Sequence, residues 1–177
     1  MKPQPTSSLR VSMTRCRHPG ERRRQGFSLI ELMITLAVVA VLATVVIPVA
    51  QTAIQRSKEQ DLRLALRELR HAIDLYKKAH DEGRIRRVAG ETGYPKTLAI
   101  LVAGEEDVRD PKHRKIYFLR RIPRDPMHPD TSVPAADTWA RRAYASEPDN
   151  PQEGDDVYDV HSRSAGIGLN GVPYRQW

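Results

Sequence analysis

Residues 26–50 read Gly26-Phe27-Ser28-Leu29-Ile30-Glu31-Leu32-Met33-Ile34-Thr35-Leu36-Ala37-Val38-Val39-Ala40-Val41-Leu42-Ala43-Thr44-Val45-Val46-Ile47-Pro48-Val49-Ala50, and the rest of the chain is organised around them. From 32 to 50 there are 19 residues without a charge. As a helix they rise about 28 Å, close to the hydrocarbon thickness of a bilayer. A chain of 177 residues with a mean hydropathy of −0.56 has little with which to wrap a helix that is apolar on every side, so a buried core helix fits poorly. A cleaved secretory signal fits little better. The run exceeds the usual apolar stretch of about 7–15 residues, and no small-x-small exit follows it. A plain membrane anchor on an unrelated domain stays open.

Upstream, residues 1–26 carry Lys2, Arg10, Arg15, Arg17, Arg22, Arg23 and Arg24 against Glu21, a net +6 out of +7 for the whole chain. The single cysteine, Cys16, lies there too, which excludes an internal disulfide framework and a cysteine zinc cluster. Pro3, Pro5 and Pro19 and the absence of apolar periodicity predict no regular structure in this piece. The pI of 9.8 therefore says little about residues 27–177, and a nucleic-acid partner is not expected. The arginines before the apolar run place that end in the cytoplasm and the carboxyl-terminal part outside.

Glu31 is the anomaly. An isolated acid in a membrane segment costs about 2.5–3.5 kcal/mol on insertion scales and is usually paired. The next cation downstream is Arg56. A cut after Gly26 would create a positive charge at the start of the run, the α-amino group of Phe27.

The string Arg24-Gln25-Gly26-Phe27-Ser28-Leu29-Ile30-Glu31-Leu32-Met33 resembles the class III signal of type IV prepilins and type II secretion pseudopilins: basic leader, Gly, Phe, and Glu at the fifth place of an apolar helix. The resemblance implies that a prepilin peptidase cuts between Gly26 and Phe27 and methylates the new Phe27 amine. It implies that Glu31 pairs with the Phe27 amine of a neighbouring subunit. Pro48 falls where many pilins have a helix-kinking proline; a proline merely tolerated in a membrane helix reads the same way.

Past Ala50 the pattern turns amphipathic. Leu62, Leu66, Leu69, Ile73 and Tyr76 recur at steps of four and three, predicting a helix with one buried stripe to about Asp81 and a stop at Gly83. Tyr94-Pro95 opens a loop, and Leu98, Ile100, Leu101 and Val102 predict a short helix. Prolines 111, 123, 126, 129, 134, 148 and 151 exclude long helices there. Strand candidates are residues 116–119, 139–145 and 157–162.

Leu119-Arg120-Arg121-Ile122-Pro123-Arg124-Asp125-Pro126 resembles the Leu-Pro-x-Asp-Pro element of the major type II secretion pseudopilins, and residues 156–177 resemble their last strand and terminal loop. The implied fold is α+β and pilin-like, a long amino-terminal helix packed on a small antiparallel sheet. The expected organisation is a basic leader at 1–26, a transmembrane or filament-core helix at 27–50, its amphipathic continuation at 51–83 and a periplasmic domain at 84–177.

Many such proteins hold calcium in the terminal loop, which needs six to eight oxygen ligands. Residues 163–171 offer no carboxylate, and Arg163 would repel the ion, so no cofactor is expected and calcium is disfavoured. A loop held by Tyr174 and Trp177 packing back on the domain is expected instead. His71 and His80 are mismatched for a shared metal, His128-Pro129-Asp130 reads as a turn, and His161 and Ser162 point to opposite faces of a strand. Nothing in the sequence looks like an enzyme.

The expected function is a structural pseudopilin in the bacterial inner membrane, with a cytoplasmic amino terminus. Its implied partners are prepilin peptidase, further copies of itself in a filament, other pseudopilins and an inner-membrane assembly platform. A minor type IV pilin, a competence pseudopilin and a membrane-anchored periplasmic binding module are the alternatives.

Overall fold

Helix α1 spans Leu29–Asp81. The computed structural model describes residues 26–177. They fall into two units, the first ending at Thr44 and the second comprising Val45–Trp177.

In the first unit every large apolar side chain from Phe27 to Leu42 is exposed. The hydroxyls of Thr35 and Thr44 donate to the carbonyls of Leu32 (2.9 Å) and Val41 (2.7 Å), so neither adds an unsatisfied polar group to the apolar helix. Among the described residues, α1 is the one helix long and apolar enough to cross a membrane.

In the second unit α1 runs unbroken through Pro48. Leu62, Leu66, Leu69, Ile73 and Tyr76 are all buried, as their spacing predicts, and Ala65, Ala72 and Ala79 widen the stripe. Burial pushes the Tyr76 phenol up to about 12, with Glu105 and Glu91 adding to the rise. At the helix end the Gly83 N–H donates to His80 O and the Arg84 N–H to Ala79 O, both at 2.9 Å. This double closure needs the left-handed residue that Gly83 supplies at φ +69°.

The short helix α2 is Leu98–Ala103, with Leu98 and Leu101 buried on the stripe. β1 (Glu105–Glu106) pairs antiparallel with β2 (Lys115–Ile116). β3 (Trp139–Arg142) pairs antiparallel with β4 (Asp159–Ser162), Trp139 facing Ser162 and Arg142 facing Asp159. The expected single small sheet is thus two separate two-stranded ladders.

Each strand is shorter than its sequence pattern. The chain leaves β2 early because the N–H groups of Phe118 and Leu119 both turn to Leu101 O (3.1 and 3.0 Å). It leaves β3 at Arg142, where Ala143 N–H bonds Gln152 O instead (2.9 Å). Val157 precedes β4 because its N–H is taken by Pro95 O at 2.8 Å. Trp139, Val157 and Val160 from this region join the α1 stripe in one core.

Candidate functional site

The described chain begins with Gly26 and an exposed Phe27. Among the described residues, a Cβ on Gly26 would meet no atom within 4 Å, so none of them requires glycine there. Glu31 lies in the first turn of α1, exposed among exposed apolar neighbours. A carboxylate in the first turn is favoured by the helix dipole, which offsets part of the cost of an acid in this segment. Glu31 makes no ion pair among the described residues. The arginine-rich segment before Gly26, with Cys16, lies outside the described residues. Pro48 sits in the second unit, and the Thr52 hydroxyl donates to its carbonyl at 2.9 Å.

The terminal loop is closed by side chains of α1. Glu59 is only 6% exposed. Its Oε1 accepts from the Leu169 N–H (2.8 Å), the Tyr174 hydroxyl (2.9 Å) and Gln55 Nε2 (3.2 Å). Burial pushes the Tyr174 phenol above its ordinary value; Gln55 pulls it down and Glu59 adds to the rise. Tyr174 meets the Trp177 ring edge-on at 5.2 Å, and the Arg63 guanidinium lies 4.5 Å over that ring. Arg70 donates to Asp159 Oδ1 (2.7 Å) and to the carbonyls of Val160 (3.2 Å) and Trp177 (2.7 Å). The Tyr174–Trp177 anchoring read from the sequence is what holds the loop, but Glu59 and Arg70 are additions.

Glu59 was legible in principle. It stands three residues before Leu62, in register with the buried stripe, and an acid in that register needs donors from another element.

Of the three carboxylates just before the loop, Asp156 and Asp159 are engaged with the protein's own groups and Asp155 is exposed. Asp156 accepts from the Thr92 hydroxyl and from the Tyr144 N–H (2.8 Å), and Asp159 is held by Arg70. Among the described residues no three His, Cys, Asp or Glu side chains come together as a metal would need. Asp125 is 1% exposed and accepts from Ser162 Oγ (2.6 Å) and the Met127 N–H (2.8 Å). It fixes the turn in which His128 N–H bonds Asp125 O at 3.1 Å. Ser162 points inward and His161 is half-buried, as alternation on β4 requires. His71 faces solvent, whereas both ring nitrogens of His80 are buried without a hydrogen-bond partner among the described residues, Nδ1 lying 3.7 Å from Asp81 Oδ1, so the two do not form a pair of ligands.

A family described as "Prokaryotic N-terminal methylation motif" matches residues 22–47, the segment that holds Gly26, Phe27 and Glu31. The chain is also similar to the type II secretion system core protein G of three bacteria. It is 29% identical to that of Dickeya chrysanthemi over 110 residues, 60% of this chain and 65% of that protein. The Klebsiella pneumoniae protein is 29% identical over 113 residues, 62% of this chain and 73% of that one. The Aeromonas hydrophila protein is 28% identical over 110 residues, 60% and 69%.

The chain carries a prepilin-type amino terminus and is similar to type II secretion pseudopilins.

The match spans about two thirds of the length of these curated relatives. No solved structure matches the chain. The long helix, apolar in its first half, followed by small antiparallel ladders is the pilin-like α+β arrangement that the resemblance implied.

Proposed function

We propose that this chain is a structural pseudopilin subunit. A prepilin peptidase cuts between Gly26 and Phe27 and methylates the Phe27 amine. The mature chain, held in the inner membrane with its carboxyl-terminal domain in the periplasm, then assembles with copies of itself and with other pseudopilins, on an inner-membrane platform, into a filament for type II protein secretion.

The observation that carries this reading is the exposure of every large apolar side chain from Phe27 to Leu42. Such a surface has two stable environments, lipid and the same surface on neighbouring helices. Lipid tails are about as apolar as leucine, so transfer between the two changes little apolar energy and is decided by polar groups. Glu31 is the polar group in question. In either environment it is costly alone and stabilised by a cation, which a neighbouring Phe27 amine supplies once the leader is gone. That none of the described residues crowds Gly26 supports a glycine demanded by an external catalyst rather than by packing.

The mass of the amino-terminal peptide from membranes tests this directly. N-methyl-Phe27 as the first residue is expected; an intact leader sinks the reading. Gly26→Lys is expected to stay unprocessed. Glu31→Leu is expected to be cut but not to enter sedimentable filaments, and normal filaments from it would contradict the charge pair.

A further inference from the structure

Arg56, Gln60, Arg63, Arg67 and Arg70 follow one another at steps of four and three, so they share one face of α1. Arg70 is neutralised by Asp159. Arg56, Arg63 and Arg67 are exposed and make no ion pair among the described residues. The one carboxylate at helical spacing from any of the three is Glu59, and it is turned inward onto the terminal loop. Arg63 and Arg67 are four residues apart, a like-charge spacing that destabilises an isolated helix. Gln60, Arg63, Arg67 and Arg70 line an open groove of about 770 Å³ whose apolar wall is Leu64, Leu66, Val172 and Trp177, and Arg56 lies one turn before it. The fold therefore maintains, along about 16 Å of helix, a row of unneutralised arginines beside apolar surface.

The same unit carries a complementary segment. Residues 147–156, Glu147-Pro148-Asp149-Asn150-Pro151-Gln152-Glu153-Gly154-Asp155-Asp156, contain five carboxylates and no cation. Glu153 is spent on Arg141 and Arg163, and Asp156 on Thr92 and Tyr144. Glu147, Asp149 and Asp155 are exposed and make no ion pair among the described residues. Tyr144, at the start of the segment, stacks on Tyr94 and meets Tyr158 edge-on, both at 5.5 Å, which anchors the segment to its own domain.

We infer that the arginine stripe receives the acidic 147–155 segment of a second copy of this chain. Two different and complementary patches on one subunit make a head-to-tail contact, which propagates rather than closing on itself. The inference rests on the filament reading and adds to it the residues by which the periplasmic domains choose their register. Charge complementarity of this kind fixes register and rejects wrong neighbours more than it adds affinity.

The test uses the full chain in its own membrane. Its one cysteine is Cys16, in the leader, so a processed subunit has no thiol of its own. The double variant Arg67→Cys with Asp149→Cys is expected to form a disulfide-linked ladder in the oxidising periplasm, and neither single variant is. Adding Arg56→Glu and Arg63→Glu is expected to lower the linked fraction about tenfold, and Glu147→Arg with Asp155→Arg to restore it. These substitutions are at exposed positions; Arg63 also lies over the Trp177 ring, so a melting curve within about 4 °C of the parent shows that the fold is intact. Absence of the ladder overturns the inference, as does a ladder indifferent to charge reversal. Position 67 shielded from a soluble thiol reagent without cross-linking assigns the stripe to another occupant, such as anionic lipid headgroups, and also overturns it. The amino-terminal mass is read in the same samples: a ladder with the leader retained would refute the processing reading while leaving this contact standing.

Discussion

Replacing Glu59 by alanine removes the acceptor that holds the terminal loop on α1. Three donors converge on one oxygen, but Gln55 is exposed enough to turn to water, so two bonds count: the Leu169 N–H and the buried Tyr174 hydroxyl. A hydrogen bond to a charged group contributes about 1.5–3 kcal/mol, and the two are not fully additive, so Glu59→Ala is expected to cost about 3–5 kcal/mol. Glu59→Gln keeps the shape and one acceptor oxygen but loses the charge, which roughly halves such bonds, so it is expected to cost about 1–2 kcal/mol. For a chain of this size each kcal/mol moves the melting temperature by about 2–4 °C. The alanine variant should therefore melt roughly 6–20 °C lower.

The assay is thermal unfolding of the purified chain in detergent, followed by tryptophan fluorescence. Trp177 reports the loop, through its contact with Tyr174, and Trp139, fully buried, reports the core. In Glu59→Ala the loop signal should change before the core signal; in the parent they should coincide. Tyr174→Phe combined with Glu59→Gln should show a coupling of about 0.5 kcal/mol or more. A calcium chelator should leave the parent curve in place, because protein groups close the loop. A shift below about 1 °C in Glu59→Ala would refute this reasoning, and so would a clear fall on chelation.

Asp125→Ala strands the Ser162 hydroxyl and the Met127 N–H in a buried site, so a loss of about 2–4 kcal/mol is expected, read as a lower urea midpoint with the slope unchanged. A parent-like midpoint would show that the Pro-x-Asp-Pro turn does not depend on its carboxylate. Burial holds the His161 imidazole below its ordinary value of 6.5; Asp159 opposes this, and Arg163, Arg70 and Arg142 reinforce it. The unfolded chain then binds a proton that the folded one does not, so this contribution to stability is complete above 6.5 and declines as pH falls below that value. His161→Gln should flatten the decline between about pH 7 and about pH 5, and equal slopes in both proteins would contradict it.

The long helix was legible because its signal is a period: five large residues at steps of four and three have one geometric solution, and all five are buried. Its end was legible because Gly83 does what other residues do poorly, adopting φ +69° at a closure. β1 was not legible. Glu105–Glu106 has no apolar alternation, and its pairing follows from what surrounds it. Asp107 N–H bonds Arg114 O at 3.0 Å, and the Asp107 carboxylate, held below the usual range first by Arg84, ties the hairpin to the end of the helix. Such a strand is set by neighbours distant in sequence, which no local pattern carries. Asp125 was visible only as part of a motif; its bond to Ser162 joins residues 37 apart in sequence.

Two acids interrupt apolar register in α1, and they divide the helix by function. Glu59 breaks the buried stripe, and this chain supplies its donors: a backbone N–H, a phenol and an amide. Its cost is met inside the fold, so it is a structural latch. Glu31 breaks the exposed apolar run, and among the described residues it finds no cation. Folding also leaves Val46, Ile47, Val49 and Ile54 uncovered beyond the first unit, an apolar surface that water does not tolerate on a solitary domain. A membrane anchor on an unrelated binding module would explain that surface but would leave Glu31 as an uncompensated penalty that leucine would avoid. Only a partner carrying a positive charge at the start of the same run would turn Glu31 from a cost into a selective contact, and a second copy of this chain, if processed as proposed, would have one there.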